Sequence, residues 1–124
     1  MLVFRSTQLD TLITSPLVTF AQRLRVFFSR EHAWLLSPVP EEDRIERITA
    51  ALRVALAAGM KTEWDLCRFV ILELQEGPTF GRPEGPAWAL EILSDDDNTG
   101  TGKADALDHY FYQVLGNETR REVH

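Results

Sequence analysis

Cysteine is nearly absent from this 124-residue sequence, which contains only Cys67. One cysteine cannot form an intramolecular disulfide, and it excludes a zinc site built from several cysteine ligands. No apolar run approaches the ~18 residues that a membrane-spanning helix needs. The first residues lack the basic start and apolar stretch of a secretory signal. We therefore expect a cytoplasmic protein with no membrane partner.

Positive charge is in deficit, because 13 Lys and Arg residues stand against 19 Asp and Glu residues, for a formal net charge of −6. Such a chain is a poor ligand for nucleic acid, since phosphate binding needs clustered cations. The charge is also uneven: residues 1–30 have a net charge of +3, and residues 63–108 have a net charge of −8. Two interpretations stay open, a surface that steers a charged partner or ordinary solvated helix faces.

The residues that are plentiful predict a helical domain. Hydrophobic residues make up 44% of the chain, which is enough for one core in a domain of this size. Apolar residues recur with the i, i+3, i+4, i+7 spacing of a helix face. A short first helix is predicted at residues 6–13, and the next carries Leu17, Phe20, Ala21, Leu24, Phe27 and Phe28. The fold class is therefore all-α, a single-domain irregular (orthogonal) bundle of about five to six helices over residues 1–115, with a flexible tail over residues 116–124.

Local signals mark the ends of the central helices. Gly59 follows an apolar helical stripe and predicts a left-handed C-cap. Thr62 has the side chain of an N-cap, and Asp65 three residues later resembles the acid of a capping box. Residues 66–74 are polar only at Arg68 and Glu73, so they predict a helix that packs on several faces.

Arg68 interrupts this apolar helix, so its charge needs a partner or a path to water. Asp65 and Glu76 lie on the same helix, and Glu91 lies on the next. We expect an internal ion pair that fixes two helices, with a role in binding as the alternative. The residues predicted to have structural roles are Thr62, Asp65 and Arg68, together with Trp88 on a later helix.

No catalytic, metal or cofactor motif is complete. Residues 95–100 resemble the start of a calcium loop, but Ala106 stands where the bidentate acid belongs. The Gly-Thr-Gly-Lys run at 100–103 lacks the spacing of a phosphate loop. Asp105 and His109 share a helix face, but a catalytic site needs a third group. We expect no enzymatic activity and no cofactor, and cation binding by the acidic loop stays open.

Large apolar residues beside helix ends are candidates for partner contacts. Trp34, Leu35 and Leu36 precede a proline break and fit either a core plug or an exposed anchor, since Trp is favoured at interface hot spots. The loop over residues 77–86 has too many Gly and Pro residues for a helix, and Phe80 is its large apolar anchor. The partner-binding candidates are Trp34, Leu35, Leu36, Phe80 and Arg82.

Residues 58–69 read Ala-Gly-Met-Lys-Thr-Glu-Trp-Asp-Leu-Cys-Arg-Phe, and Gly77, Phe80 and Trp88-Ala-Leu-Glu-Ile-Leu93 follow. This series resembles small proteins encoded in bacterial type VI secretion clusters, in which Gly-x-x-x-Glu-x-Asp-x-x-Arg-Tyr/Phe precedes a Gly, an aromatic loop residue and Trp-Ala-x-x-Ile-Leu. The resemblance covers about residues 2–12 and 58–95. It departs in the loop, where Gly-Arg-Pro replaces an acid-rich stretch. Because helix caps and core residues form the motif, the resemblance implies a shared fold.

The resemblance also implies a non-catalytic accessory role beside spike proteins, effector toxins and loading chaperones. The leading hypothesis is an adaptor or co-chaperone for effector loading, whose partner is a secretion chaperone, a spike-tip protein or an effector. The alternative is an immunity protein, whose acidic surface blocks the basic substrate channel of a co-encoded toxin. A generic interaction module and an enzyme that uses Asp105 and His109 are the remaining hypotheses. The partner, the binding surface and the oligomeric state, including a homodimer, stay open.

Overall fold

A computed structural model describes residues 15–115 of the chain. Over these residues the protein is all-α, with six α-helices, a 3-10 turn, a π-helical turn and no β-strand. One hydrophobic core takes residues from every α-helix. The predicted all-α bundle is therefore confirmed over this range. The predicted helix at 6–13 and the predicted tail at 116–124 lie outside the described residues, so the domain boundaries stay a prediction.

Within the described range, the first two helices are α1, Ser15–Glu31, and α2, Ala33–Leu36. Phe27 is 43% exposed at the edge of the α1 stripe, which corrects the expectation that it faces the core. Helical periodicity gives the direction of a stripe but not its width, and the neighbouring helices leave this edge uncovered. The stripe residues that are buried are Leu17, Phe20, Ala21, Leu24 and Phe28.

A 3-10 turn of acidic residues, Glu41–Asp43, leads into α3, Arg44–Ala57. The chain leaves α3 through the hydrogen bond of a Schellman motif, in which the Met60 N–H donates to the Ala55 carbonyl at 3.1 Å. Gly59 has a φ of +96°, a left-handed conformation that glycine adopts without strain. The predicted glycine C-cap is confirmed.

The central helix is α4, Glu63–Glu76. Its N-cap is Thr62, whose hydroxyl oxygen accepts a hydrogen bond from the Asp65 backbone N–H at 3.1 Å, as predicted. α4 packs against α2, α3 and a later helix, α6, Gly100–Asp108. Its buried apolar residues are Leu66, Phe69, Val70, Leu72 and Leu74.

Aromatic contacts hold the Gly- and Pro-rich loop and α5, Ala87–Leu93, against α4. The Phe80 ring centroid lies 5.7 Å from that of Phe69 and 5.5 Å from that of Trp88. Trp88 in turn stacks on Tyr110 at 4.5 Å. Phe80 is buried, so its prediction as a partner-binding residue is wrong: the side chain anchors the loop in the core. Trp88 was predicted to have a structural role, and its ring packs against Phe80 and Tyr110.

The α6 helix continues into a π-helical turn, His109–Leu115. It begins at Gly100, where the Thr99 hydroxyl oxygen caps it by accepting from the Gly102 N–H at 2.9 Å.

Two contacts fix the start of α6 against the end of α3. A Cβ atom on Gly100 would lie 2.1 Å from the Gly59 carbonyl oxygen, so only glycine permits this approach. The Lys103 side chain is buried, and its ammonium donates to the Ala58 carbonyl at 2.9 Å. A cation is favourable there because the C-terminal end of a helix carries partial negative charge. These contacts place α6 alongside the first turns of α4.

Candidate protein-binding surface

An apolar groove of about 470 Å³ lies between α1 and α4. Both helices pack on other parts of the bundle, and the space between them stays open. Leu24 and Phe27 line the groove from α1, and Trp64 and Cys67 line it from α4. Burial raises the pKa of the Cys67 thiol to about 11. The thiol is therefore protonated at neutral pH and serves as an apolar surface rather than a nucleophile.

Two aromatic side chains of this groove are unusually exposed for their size. Trp64 is 69% exposed in the first turn of α4, and Phe27 faces it from α1. Arg23 and Glu63 connect the two helices beside these rings through an ion pair of 3.3 Å. The hydrogen bond from Arg23 lowers the pKa of Glu63, which keeps the carboxylate charged. The groove therefore combines rigid helical walls with aromatic surface that has no cover among the described residues.

Arg68 lies next to the groove, at the centre of a cluster of carboxylates. Its guanidinium contacts Asp65 on the same helix at 2.8 Å, and Asp105 and Asp108 on α6 at 2.8 and 3.0 Å. Thr101 donates its hydroxyl hydrogen to the second Asp65 oxygen at 2.6 Å. The predicted internal ion pair is therefore found, and it joins α4 to α6.

The predicted identity of the Arg68 partners is right for Asp65 and wrong for the two glutamates, Glu76 and Glu91. Arg68 faces α6, whereas Glu91 lies on α5, and Glu76 lies at the far end of α4. Tertiary packing decides which helix this side chain faces. The sequence alone therefore did not identify its partners on α6.

The cluster carries more negative than positive charge, with three aspartates around one guanidinium. Burial opposes ionisation of Asp65, but the hydrogen bonds from Thr101 and Arg68 outweigh it and bring the pKa of this carboxyl below its ordinary value. Burial raises the pKa of Asp108, although the Arg68 charge works against that shift. The Trp64 ring connects this cluster to the groove, because the Arg68 guanidinium carbon lies 5.8 Å from the ring centroid.

A second cleft of about 260 Å³ lies between α3, the end of α4 and the following loop. An ion pair between Arg47 and the buried Glu73 forms one wall, with the Arg47 Nε donating to Glu73 at 2.7 Å. Burial raises the pKa of Glu73, and the Arg47 and Arg82 charges work against it. Arg82, a predicted partner-binding residue, lines this cleft rather than the groove.

The structure does not bring the predicted partner-binding residues together. Trp34 is 60% exposed on α2, whereas Leu35 and Leu36 are buried, so their prediction as contact residues is corrected to the core alternative. Adjacent helical residues point about 100° apart, which separates Trp34 from the two leucines. Sequence reasoning missed Trp64 as a surface residue. Its exposure could have been predicted from its position between two acidic residues, Glu63 and Asp65, before the apolar repeat that begins at Leu66.

Between residues 15 and 115, no group of three His, Cys, Asp or Glu side chains is placed to hold a metal ion. No helix in that part of the chain has the length and apolar character of a membrane span. Asp105 pairs with Arg68, and no hydrogen bond within the described range joins it to His109. The sequence matches no protein-family model, no curated protein and no solved structure.

Proposed function

We propose that this chain is a non-catalytic, protein-binding accessory factor of the cytoplasm, an adaptor or co-chaperone that helps load a type VI secretion effector. The observation that carries the protein-binding part is the α1–α4 groove, where Phe27 and Trp64 are exposed on rigid helices. Aromatic residues on a rigid frame are favoured as interface hot spots, because little conformational entropy is lost when a partner covers them. The secretion part rests on the sequence resemblance over residues 2–12 and 58–95.

The non-catalytic part of the proposal rests on the arrangement of the polar groups. Each carboxylate of the Arg68 cluster is engaged by a guanidinium, and Asp65 is also engaged by Thr101. These contacts connect helices, as structural ion pairs do. The Cys67 thiol in the groove has a raised pKa, which is the opposite of what an activated nucleophile needs.

The test is an in-frame deletion of the gene in the bacterium that encodes it, complemented with wild type or with Trp64→Ala. Effector release into the medium and effector recovered with the spike are measured by mass spectrometry. We expect both to fall in the deletion strain and with Trp64→Ala, and to recover with wild type. Trp34→Ala is the matched control, since it removes an exposed tryptophan outside the groove. Unchanged secretion of every effector of the cluster in the deletion strain would refute the loading role.

The immunity hypothesis keeps one supporting observation, the excess of carboxylates around Arg68 on a chain whose residues 63–108 have a net charge of −8. Such a face is complementary to a basic substrate channel. Co-expression with each effector toxin of the cluster in a heterologous host separates the two roles. Rescue of growth from one toxin favours immunity, and lack of rescue together with lost secretion favours loading.

A further inference from the structure

We infer that the α1–α4 groove binds a cationic amphipathic helix of the partner protein. The inference rests on the proposed protein-binding role and assigns to it a surface and a ligand chemistry. It combines two neighbouring features, the open apolar groove and the carboxylate excess next to it, which share the Trp64 ring.

The shape of the groove favours a helix over a compact ligand. Its walls are two helices, and its lining is apolar except for Arg23 and Glu63, which pair with each other. Small-molecule sites are enclosed and place a few polar groups to orient the ligand. An amphipathic helix instead lays its i, i+3 or i+4, and i+7 side chains into an open apolar groove.

The charge beside the groove favours a cationic helix. Trp64 forms a groove wall on one side and lies against the Arg68 guanidinium on the other. Arg68 is surrounded by three aspartates, so the cluster beside Trp64 carries an excess of two negative charges. Asp105 is the most accessible of the three, with a side chain 66% exposed. A Lys or Arg that flanks the apolar face of the helix reaches these carboxylates and the Trp64 ring together.

Three other ligands for the groove fit less well: the chain's own residues 1–14, a second copy of the chain, and an acidic or neutral helix. Residues 1–14 carry Arg5 and Asp10 as their only charged side chains, so the side chains of this segment offer no excess of cations. A second copy offers the exposed Val26 and Phe27 of α1, but the rest of the apolar stripe of α1 is buried in its own core. An acidic or neutral helix gains nothing from the aspartates around Arg68.

The experiment measures binding of labelled synthetic peptides to the full chain by fluorescence anisotropy. The probe is an 18-residue helix-forming peptide with leucines on one face and lysines on its flanks. Its matched controls have glutamate in place of every lysine, or the same composition in scrambled order. We expect the lysine peptide to bind at least tenfold more tightly than either control. Raising the salt concentration should reduce that ratio, because screening weakens the charge contribution.

Variants of the protein locate the binding site. Trp64→Ala and Phe27→Ala should each lower the affinity for the lysine peptide about tenfold, as expected for loss of a hot-spot side chain. Asp105→Asn should lower this affinity a few-fold and make it less dependent on salt concentration, since one carboxylate is lost. The controls Trp34→Ala and Asp96→Asn remove an exposed tryptophan and an exposed acid elsewhere and should leave affinity unchanged. Circular dichroism checks that each variant is folded.

Several results would overturn the inference. If the glutamate peptide binds as tightly as the lysine peptide, the aspartates do not select a cationic ligand. If Trp34→Ala and Trp64→Ala lower the affinity for the lysine peptide equally, the groove is not the binding site. A synthetic peptide of residues 1–14 that competes as well as the lysine peptide assigns the groove to the chain's own segment. A homodimer that the lysine peptide cannot dissociate, measured by sedimentation, assigns it to a second copy. None of these outcomes decides the loading role itself, because secretion by the deletion strain tests that role without reference to the groove.

Discussion

Replacement of Arg68 by methionine is the sharpest test of how α4 and α6 are joined. The guanidinium is only 14% exposed and contacts Asp65, which is itself buried. Removal of one partner from a buried pair leaves the other charge uncompensated, at a cost of about 3–5 kcal/mol. Asp65 keeps its hydrogen bond from Thr101, and Asp105 is well solvated, so the loss falls at the lower end. We expect Arg68→Met to lower the free energy of unfolding by about 3 kcal/mol at pH 7.

The assay is urea unfolding followed by circular dichroism, with Arg23→Met as the matched control. That control makes the same substitution at an exposed ion pair, where the expected loss is less than about 1 kcal/mol. A double-mutant cycle with Asp65→Asn isolates the pair and should give a coupling energy of about 2 kcal/mol. An Arg68→Met variant that loses no more than Arg23→Met would refute the view that this contact fixes α6 on α4.

The pH dependence of Arg68→Met provides a second readout. The pKa of Asp65 is lowered from its ordinary value of 3.8, so its contribution to stability is complete above that pH and is lost as the pH falls through the folded-state pKa. Arg68 also works to lower the pKa of Asp108. The difference in stability between wild type and Arg68→Met should therefore be largest near neutral pH and narrow as the pH falls through the pKa values of Asp65 and Asp108. A difference that widens in acid contradicts this assignment.

Three further predictions concern the core, the α3–α6 contact and the groove. Phe80→Ala should cost about 3–5 kcal/mol in chemical unfolding, because it leaves a cavity between rings, whereas the exposed Trp34→Ala should stay within about 0.5 kcal/mol. Similar losses in the two variants would contradict the burial of Phe80. Gly100→Ala should cost about 1–3 kcal/mol in the same assay, since its Cβ meets the Gly59 carbonyl, and an unchanged midpoint would contradict that approach. Cys67 should react with iodoacetamide at pH 8 about a hundredfold more slowly than an unshifted thiol, because the rise in pKa from 9.0 to about 11 removes thiolate in that proportion. A rate equal to that of the urea-unfolded protein would contradict the raised pKa.

Features set by neighbours in sequence were predictable. The Thr62 cap and the glycine turn at Gly59 depend on hydrogen bonds that span five residues or fewer, and both were predicted. The need of Arg68 for a partner followed from the apolar residues around it. Its partners on α6 lie about forty positions away, and no local pattern indicates which distant helix faces a given side chain.

The candidate site was harder to predict than the fold, because exposure depends on which helices are absent from a given face. Phe27 belongs to the same periodic stripe as Phe28, yet one is exposed and the other is buried. Trp34 and Leu35 are adjacent large apolar residues, yet Trp34 is exposed and Leu35 is buried. Periodicity describes one helix at a time, whereas a groove is the space that two helices leave between them. The role of Lys103 as a partner of the Ala58 carbonyl was missed for the same reason.

The close approach of Gly100 to the Gly59 carbonyl has a consequence for how sequences with this fold can diverge. A change at either position alone is destabilising, since Gly59 needs a positive φ and a Cβ at position 100 would collide with the Gly59 backbone. Mutational drift at one must therefore be accompanied by a rebuilt connection between α3 and α4. A homologue that carries a larger residue at position 100 should also differ in the length or turn type of the 58–62 segment. We therefore expect positions 59 and 100 to vary together among homologues, even where surface residues have lost all similarity.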